Sequence, residues 1–197
     1  MNAAEPRRQA VALVGFMGAG KSAVGVRLAA ALAIQFVDTD QLIEATAGQP
    51  IATIFAERGE QGFRALEAHV VTAAISAAEE RPCLLALGGG AVLSAEVRAA
   101  LRRLTHVVWL DAPVDELWAR VAGVGAQERP LAGDRQAFAA LLEARVPLYR
   151  EVATRVIATG DASAAAVAAQ LAADLRAAPA EDAPARAVSP SAEGRRP

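Results

Sequence analysis

Gly15-Phe16-Met17-Gly18-Ala19-Gly20-Lys21-Ser22 is the stretch whose reading decides the fold. It matches G-x-x-x-x-G-K-[ST]. The apolar run AVALV at 10–14 leads into it, and Lys21 to Ala33 follows with Val24, Leu28 and Leu32 at helical spacing. A strand therefore feeds a loop that feeds a helix. In that setting glycines let backbone N–H groups turn toward phosphate oxygens, and the helix presents its positive end to the anion. Lys21 is placed to reach the β- and γ-phosphates, and the Ser22 hydroxyl to ligate Mg²⁺. With this chain's own composition the pattern arises by chance about 4 times in 10,000, so a glycine turn without function is a poor explanation. Lys21 is also the chain's only lysine, beside 19 arginines. Arginine can replace lysine on most solvated surfaces, but here a compact ammonium on a flexible stem fits better than a planar fork.

Working outward, strand-like and helix-like segments alternate. After the first pair come a short strand at Gln35 to Asp38 and short helices at Gln41 to Ala47 and Ile51 to Arg58. A long helix at Glu60 to Glu80 follows, then an apolar strand at Cys83 to Leu87 running into Gly88-Gly89-Gly90. Ser94 to Arg103 reads as a helix with Ser94 as N-cap, His106 to Leu110 as a strand, and Val114 to Val121 as a helix. Gly123 to Asp134 has no apolar period and reads as a mobile lid. Phe138 to Arg145 reads as a helix ending before Pro147, Arg155 to Ala158 as a last strand, and Ala164 to Ala177 as a last helix. Five strands separated by helices predict an α/β fold, a three-layer α/β/α arrangement with a five-stranded parallel sheet, and Gly15 to Ser22 makes it a P-loop fold. Ligands then bind at the carboxyl ends of the strands. Residues 1–9 read as a flexible leader, 10–178 as the domain, and 179–197, rich in Pro, Ala, Ser and charge, as a disordered tail.

Composition narrows the function classes. A net charge of -2 and a pI near 5.8 give no general attraction to nucleic acid or an anionic membrane. Cys83 is alone, so no disulfide within the chain and no cysteine-rich metal site can form. His69 and His106 have no second ligand type at metal spacing. The polar start MNAAEPRRQ and the lack of a long uncharged apolar run make the cytoplasm the expected location, with no membrane partner. A monomer is expected. Asn2 is the only asparagine, so the Asn-Lys-x-Asp motif of a switch GTPase cannot be present, and large motor ATPases are excluded by length. A compact kinase with a small acceptor remains.

Three further clusters describe that acceptor. Asp38-Thr39-Asp40 closes the second strand, and carboxylates at i and i+2 of an extended chain point to one side. One can hold the Mg²⁺ water shell, and the other can accept a hydrogen bond from the attacking hydroxyl. Helix N-capping is the competing reading. Gly88, Gly89 and Gly90 permit close backbone approach to a ligand. Arg64, Arg129 and Arg145, in a chain of net negative charge, suit an anionic acceptor, because guanidinium clamps carboxylate bidentately.

In order and spacing, GFMGAGKS, VDTD, IFAERGEQGFRALE, LGGGAV, ERPL and ARVPLYREVA resemble the shikimate kinase family, over roughly Ala10 to Ala177. The resemblance implies transfer of the ATP γ-phosphate to the 3-hydroxyl of shikimate, with Mg²⁺ as cofactor and ATP and shikimate as small-molecule partners. It implies ATP contacts from Gly18, Ala19, Gly20, Lys21, Ser22, Ala23, Arg120 and Arg129, with Arg120 near the adenine and Arg129 on the transferring phosphate. It implies that Ser22 and, through water, Asp38 hold the metal. Asp40 is implied as the base toward the 3-hydroxyl, Lys21 and Arg129 as the other catalytic groups, and Glu67 as the group orienting Arg64. Acceptor contacts fall to Asp40, Arg64, Gly88, Gly89, Gly90 and Arg145. The chain departs from the family pattern at Ala23, where a threonine is often found, at Ala132, and at Gly160-Asp161. Its lid is also poor in charge. Another small P-loop kinase, gluconate-like, and a non-catalytic nucleotide-binding module are the competing readings.

Overall fold

A computed structural model of the chain describes residues 10–122, 134–160 and 162–177. The leader, the lid with Arg129 and Ala132, Asp161 and the tail lie outside the described residues. Five parallel strands form one sheet: β1 (Val11–Val14), β2 (Gln35–Asp38), β3 (Cys83–Ala86), β4 (His106–Asp111) and β5 (Arg155–Ala158). Their order across the sheet is β2-β3-β1-β4-β5. β1 is central, with Val11 beside both Leu84 and His106. Its four residues are all buried, as are those of β3, which explains why both read as unbroken apolar runs. The edge strands β2 and β5 are half-exposed and more polar. The chain leaves β1 toward β3 and β2, and returns past β1 to β4 and β5. The strand order thus reverses at β1, and the crevice at its carboxyl end is where such sheets bind ligands.

Helices flank the sheet. α1 (Lys21–Leu32) packs on β1, β2 and β3 and against α7 (Ala164–Ala177). α3 (Ile51–Glu80) packs on β3 and against α4 (Ala95–Leu101); α5 (Val114–Ala122) packs against α6 (Arg135–Val152), which reaches β4. α2 (Thr39–Ala47) pairs with the start of α3 around a small apolar core of its own, Ile43, Ile54, Phe63 and Val70. No described helix is long and apolar enough to cross a membrane.

Among the predicted element boundaries, two that differ from the structure bear on the site. α6 does not stop before Pro147 but runs through it to Val152. Proline removes one helical hydrogen bond. The turn beyond it is held instead by buried Tyr149 and Val152, whose packing outweighs the loss. α2 begins at Thr39 rather than Gln41, so Asp40 is helical and not extended. The predicted break between Arg58 and Glu60 is present as a kink inside α3, where Gly59 has φ 65° and ψ -179°.

Candidate active site

The loop after β1 turns sharply over the sheet. Gly18 has φ 82°, and a Cβ there would lie 2.8 Å from the Leu117 carbonyl oxygen, so position 18 excludes a side chain twice over. No side chain caps α1: its N-cap is Gly20 and its first turn holds no acidic residue. The first N–H groups of the helix are thereby left to an anion. Lys21 Nζ donates to the carbonyls of Gly15 (2.8 Å) and Phe16 (3.0 Å), which holds the ammonium against the loop. Ser22 Oγ donates to Asp38 Oδ2 at 2.6 Å.

Asp38 ends β2 and caps α2, its Oδ1 accepting from Asp40 N at 3.0 Å. The expectation of two carboxylates side by side on extended chain is therefore corrected. Asp38 is the helix cap, and the first turn of α2 carries Asp40 away from it toward the glycine turn. The structure also gives the three glycines a reason beyond approach to a ligand. A Cβ on Gly88 would lie 2.4 Å from Asp40 Oδ1 and 3.3 Å from Glu67 Oε1; a Cβ on Gly90 would lie 2.3 Å from Arg64 Nη1. Two of the three missing side chains make room for a carboxylate and a guanidinium. The turn is pinned from both sides: Gly88 N donates to Thr39 Oγ1 at 3.0 Å, and the Gly89 carbonyl accepts from Tyr149 Oη at 2.6 Å and Arg145 Nη1 at 3.2 Å.

Arg64 Nη1 donates to Glu67 Oε2 at 2.6 Å. Glu67 is 3% exposed. Burial pushes its carboxyl above the usual carboxylate range, with the hydrogen bond from Arg64 opposing that and Asp40 nearby adding to it. Arg145, 6% exposed, lies with its guanidinium 5.4 Å from the centre of the Phe16 ring. The Nε atoms of Arg64 and Arg145 are buried and have no hydrogen-bond partner among the described residues. Glu60 Oε1 is 3.6 Å from Arg64 Nε, beyond hydrogen-bond reach. Two buried donors are thus left without an acceptor among the described residues, at positions where a buried polar group is normally paired.

Gly18, Gly20, Lys21, Ser22, Ala23, Asp38, Asp40, Arg64, Gly88, Gly89, Gly90, Arg120 and Arg145 all line one cavity of about 550 Å³. Arg120 closes one end, bonding to Glu116, the Gly160 carbonyl and, at 3.3 Å, the Gly18 carbonyl. Ala19 is not brought to the cavity. Its side chain is buried and its N–H donates to the Phe16 carbonyl at 3.2 Å. Arg129 lies outside the described residues.

The family model described as shikimate kinase matches residues 17–176. The chain belongs to the shikimate kinase family. The shikimate kinase of Symbiobacterium thermophilum is 47% identical over 146 residues, covering 73% of this chain and 82% of that one. That of Bordetella pertussis is 44% identical over 158 residues, 79% of this chain and 72% of the relative. A solved shikimate kinase from Acinetobacter baumannii, described as in complex with shikimate, aligns with TM-score 0.79 and 36% identity, covering 86% of this chain and 94% of that one.

Within this shikimate kinase fold, sequence reasoning missed several residues that shape the cavity. Ile51, Phe55 and Phe63 form its apolar wall, with the two rings stacked at 4.3 Å. The helices that carry them are legible in the sequence, but nothing there marks these side chains as lining a cavity. Phe16 occupies an unspecified position of the phosphate-loop pattern, so nothing marked it as the platform for Arg145. Thr39 sat inside the quoted VDTD, and Tyr149 follows Arg145 by one helical turn in ARVPLY.

Proposed function

We propose that this chain transfers the γ-phosphoryl group of ATP to the 3-hydroxyl of shikimate. One observation carries the reading. Arg64 and Arg145, each with a buried donor that has no partner among the described residues, share a single cavity with a phosphate loop and a carboxylate, Asp40, seated on a glycine turn. The nucleotide phosphates take the loop N–H groups, and the Lys21 ammonium moves from its carbonyls onto the β- and γ-phosphate oxygens. Arg120 sits at the nucleoside end. The acceptor's carboxylate takes donors from Arg64, held by Glu67, and from Arg145, held by Gly89. Its ring packs on the Ile51, Phe55 and Phe63 wall. Asp40 then faces the hydroxyl and accepts its proton as the new O–P bond forms. The bond to the bridging oxygen breaks, and ADP leaves with the electron pair. Positioning and charge neutralisation supply most of the acceleration.

The donor set fits Mg²⁺. No group of three histidine, cysteine or carboxylate side chains that could hold a metal exists among the described residues. Mg²⁺ needs none, since it is held by one or two protein oxygens together with phosphate oxygens and waters. Ser22 and, through water, Asp38 would hold it. When bound, it offsets charge on the phosphate oxygens.

A coupled assay of ADP release, run without acceptor, with shikimate and with gluconate, tests the reading. Release that depends on shikimate supports it. Dependence on gluconate, or no dependence on either, overturns it.

A further inference from the structure

We infer that Tyr149 is a positioning residue for the acceptor carboxylate, deciding through the Gly89 carbonyl which donors of Arg145 are left for the acceptor. This rests on the proposed function. Tyr149 lies one helical turn after Arg145 on α6, so both side chains leave the same face. Its phenol is fully buried, its ring stacks on Trp109 at 5.9 Å between centres, and Oη donates to the Gly89 carbonyl at 2.6 Å. Arg145 Nη1 shares that acceptor at a longer 3.2 Å. The shorter bond belongs to the residue that does not line the cavity. Burial pushes the phenol up to about 12, with Arg145 pulling the other way, so the hydroxyl stays a donor throughout the neutral range.

Two consequences follow from this geometry. A peptide unit is planar, so a fixed Gly89 carbonyl also fixes the Gly90 N–H on its opposite side. Gly89 packs against the phosphate loop, where a Cβ would lie 3.3 Å from Met17 N. The turn that seats Asp40 and Arg64 is thereby tied to the loop that holds phosphate. Without the hydroxyl, the Gly89 carbonyl draws more of the Arg145 guanidinium onto itself. The acceptor carboxylate then loses a donor, while the nucleotide side of the site is unchanged.

The test is Tyr149→Phe, which removes one oxygen and keeps the ring. Steady-state kinetics are run with shikimate and with its methyl ester, which lacks the carboxylate charge. The expected result is a rise of about tenfold in KM for shikimate, with KM for ATP within about twofold and little change for the ester. Tyr149 is the only tyrosine, so tyrosine labelled with ¹³C at Cζ gives a single resonance in the unaltered chain. That resonance should move when shikimate is added. Equal losses on shikimate and ester would mean a purely structural role and overturn the inference, as would an unchanged shikimate KM or a resonance that does not move. Absence of shikimate-dependent ADP release from the unaltered chain would overturn the proposed function, and this inference with it.

Discussion

Replacing Gly90 with alanine would set a methyl carbon where the Arg64 guanidinium now lies. Gly90 has φ -96° and ψ -10°, a conformation open to any residue, so the backbone has no objection. The new carbon would lie 2.3 Å from Arg64 Nη1 and 2.9 Å from Cζ and Nη2. Ordinary contact is about 3.5 Å, so the guanidinium must retreat by about 1 Å. It is the end of a flexible chain and can still reach Glu67 through another nitrogen, so the stability cost should stay near 1 kcal/mol. Catalysis has no such freedom. A displacement of about 1 Å at a substrate clamp can cost about 10²-fold, equivalent to about 2.7 kcal/mol. Gly90→Ala should therefore keep its fold by urea titration while kcat/KM for shikimate falls by one to two orders of magnitude, with the loss concentrated in KM. An unchanged kcat/KM, with the fold intact, would refute the reasoning that the third glycine exists to seat Arg64.

Three other outcomes follow from the same contacts. Gly88→Ala would put a carbon 2.4 Å from Asp40 Oδ1; kcat should drop at least about tenfold, and a normal kcat would detach Asp40 from the glycine turn. Gly25→Ala is the stability counterpart, since its Cβ would meet Phe36 at 2.5 Å and Leu84 at 3.2 Å, far from the chemistry. Overpacking exceeds the helix-propensity gain, so the unfolding free energy from urea titration should fall by about 1 kcal/mol with KM values unchanged; a stabilised variant would contradict this. His106 is held below its usual range by burial and by Arg155. Its folded pKa is lowered, so its contribution is present above about pH 6.5 and is lost as pH falls through the folded value. His106→Gln should flatten the acid-side loss of stability between about pH 6.5 and 5; an unaltered slope would assign that loss to other groups.

Much of the site was legible in the sequence, because its chemistry rests on rare residues in fixed order. A lone lysine after a glycine loop and three glycines after an apolar strand each have few other uses, and Asp-x-Asp, ambiguous alone because it also caps helices, gains its meaning from the loop upstream. The parallel sheet and the helices between its strands followed from alternation, whereas the strand order did not. What escaped was of two kinds. Side chains acting through another residue carry no local signature: Tyr149 and Thr39 matter because of what Gly88 and Gly89 do, 60 and 49 residues away in sequence. Local rules were also overridden by tertiary packing. Pro147 reads as a helix stop until Tyr149 and Val152 are seen to be buried beyond it. Asp38 and Asp40 read as a pair on one extended strand until Asp38 is seen capping the helix that carries Asp40. Ala19 sits within the phosphate-loop pattern, which marks the loop as a whole but does not say which of its residues turn inward.

In the proposed function, the phosphate loop and the Asp40, Arg64 and Arg145 cluster form a single site acting on the 3-hydroxyl of shikimate. Its most direct test is ³¹P and ¹H NMR of the products after incubation with Mg-ATP and shikimate. One new phosphomonoester, on the 3-hydroxyl, should appear in step with ADP and be lost in Asp40→Asn. Inorganic phosphate in place of an ester, or an ester on another hydroxyl, would contradict it.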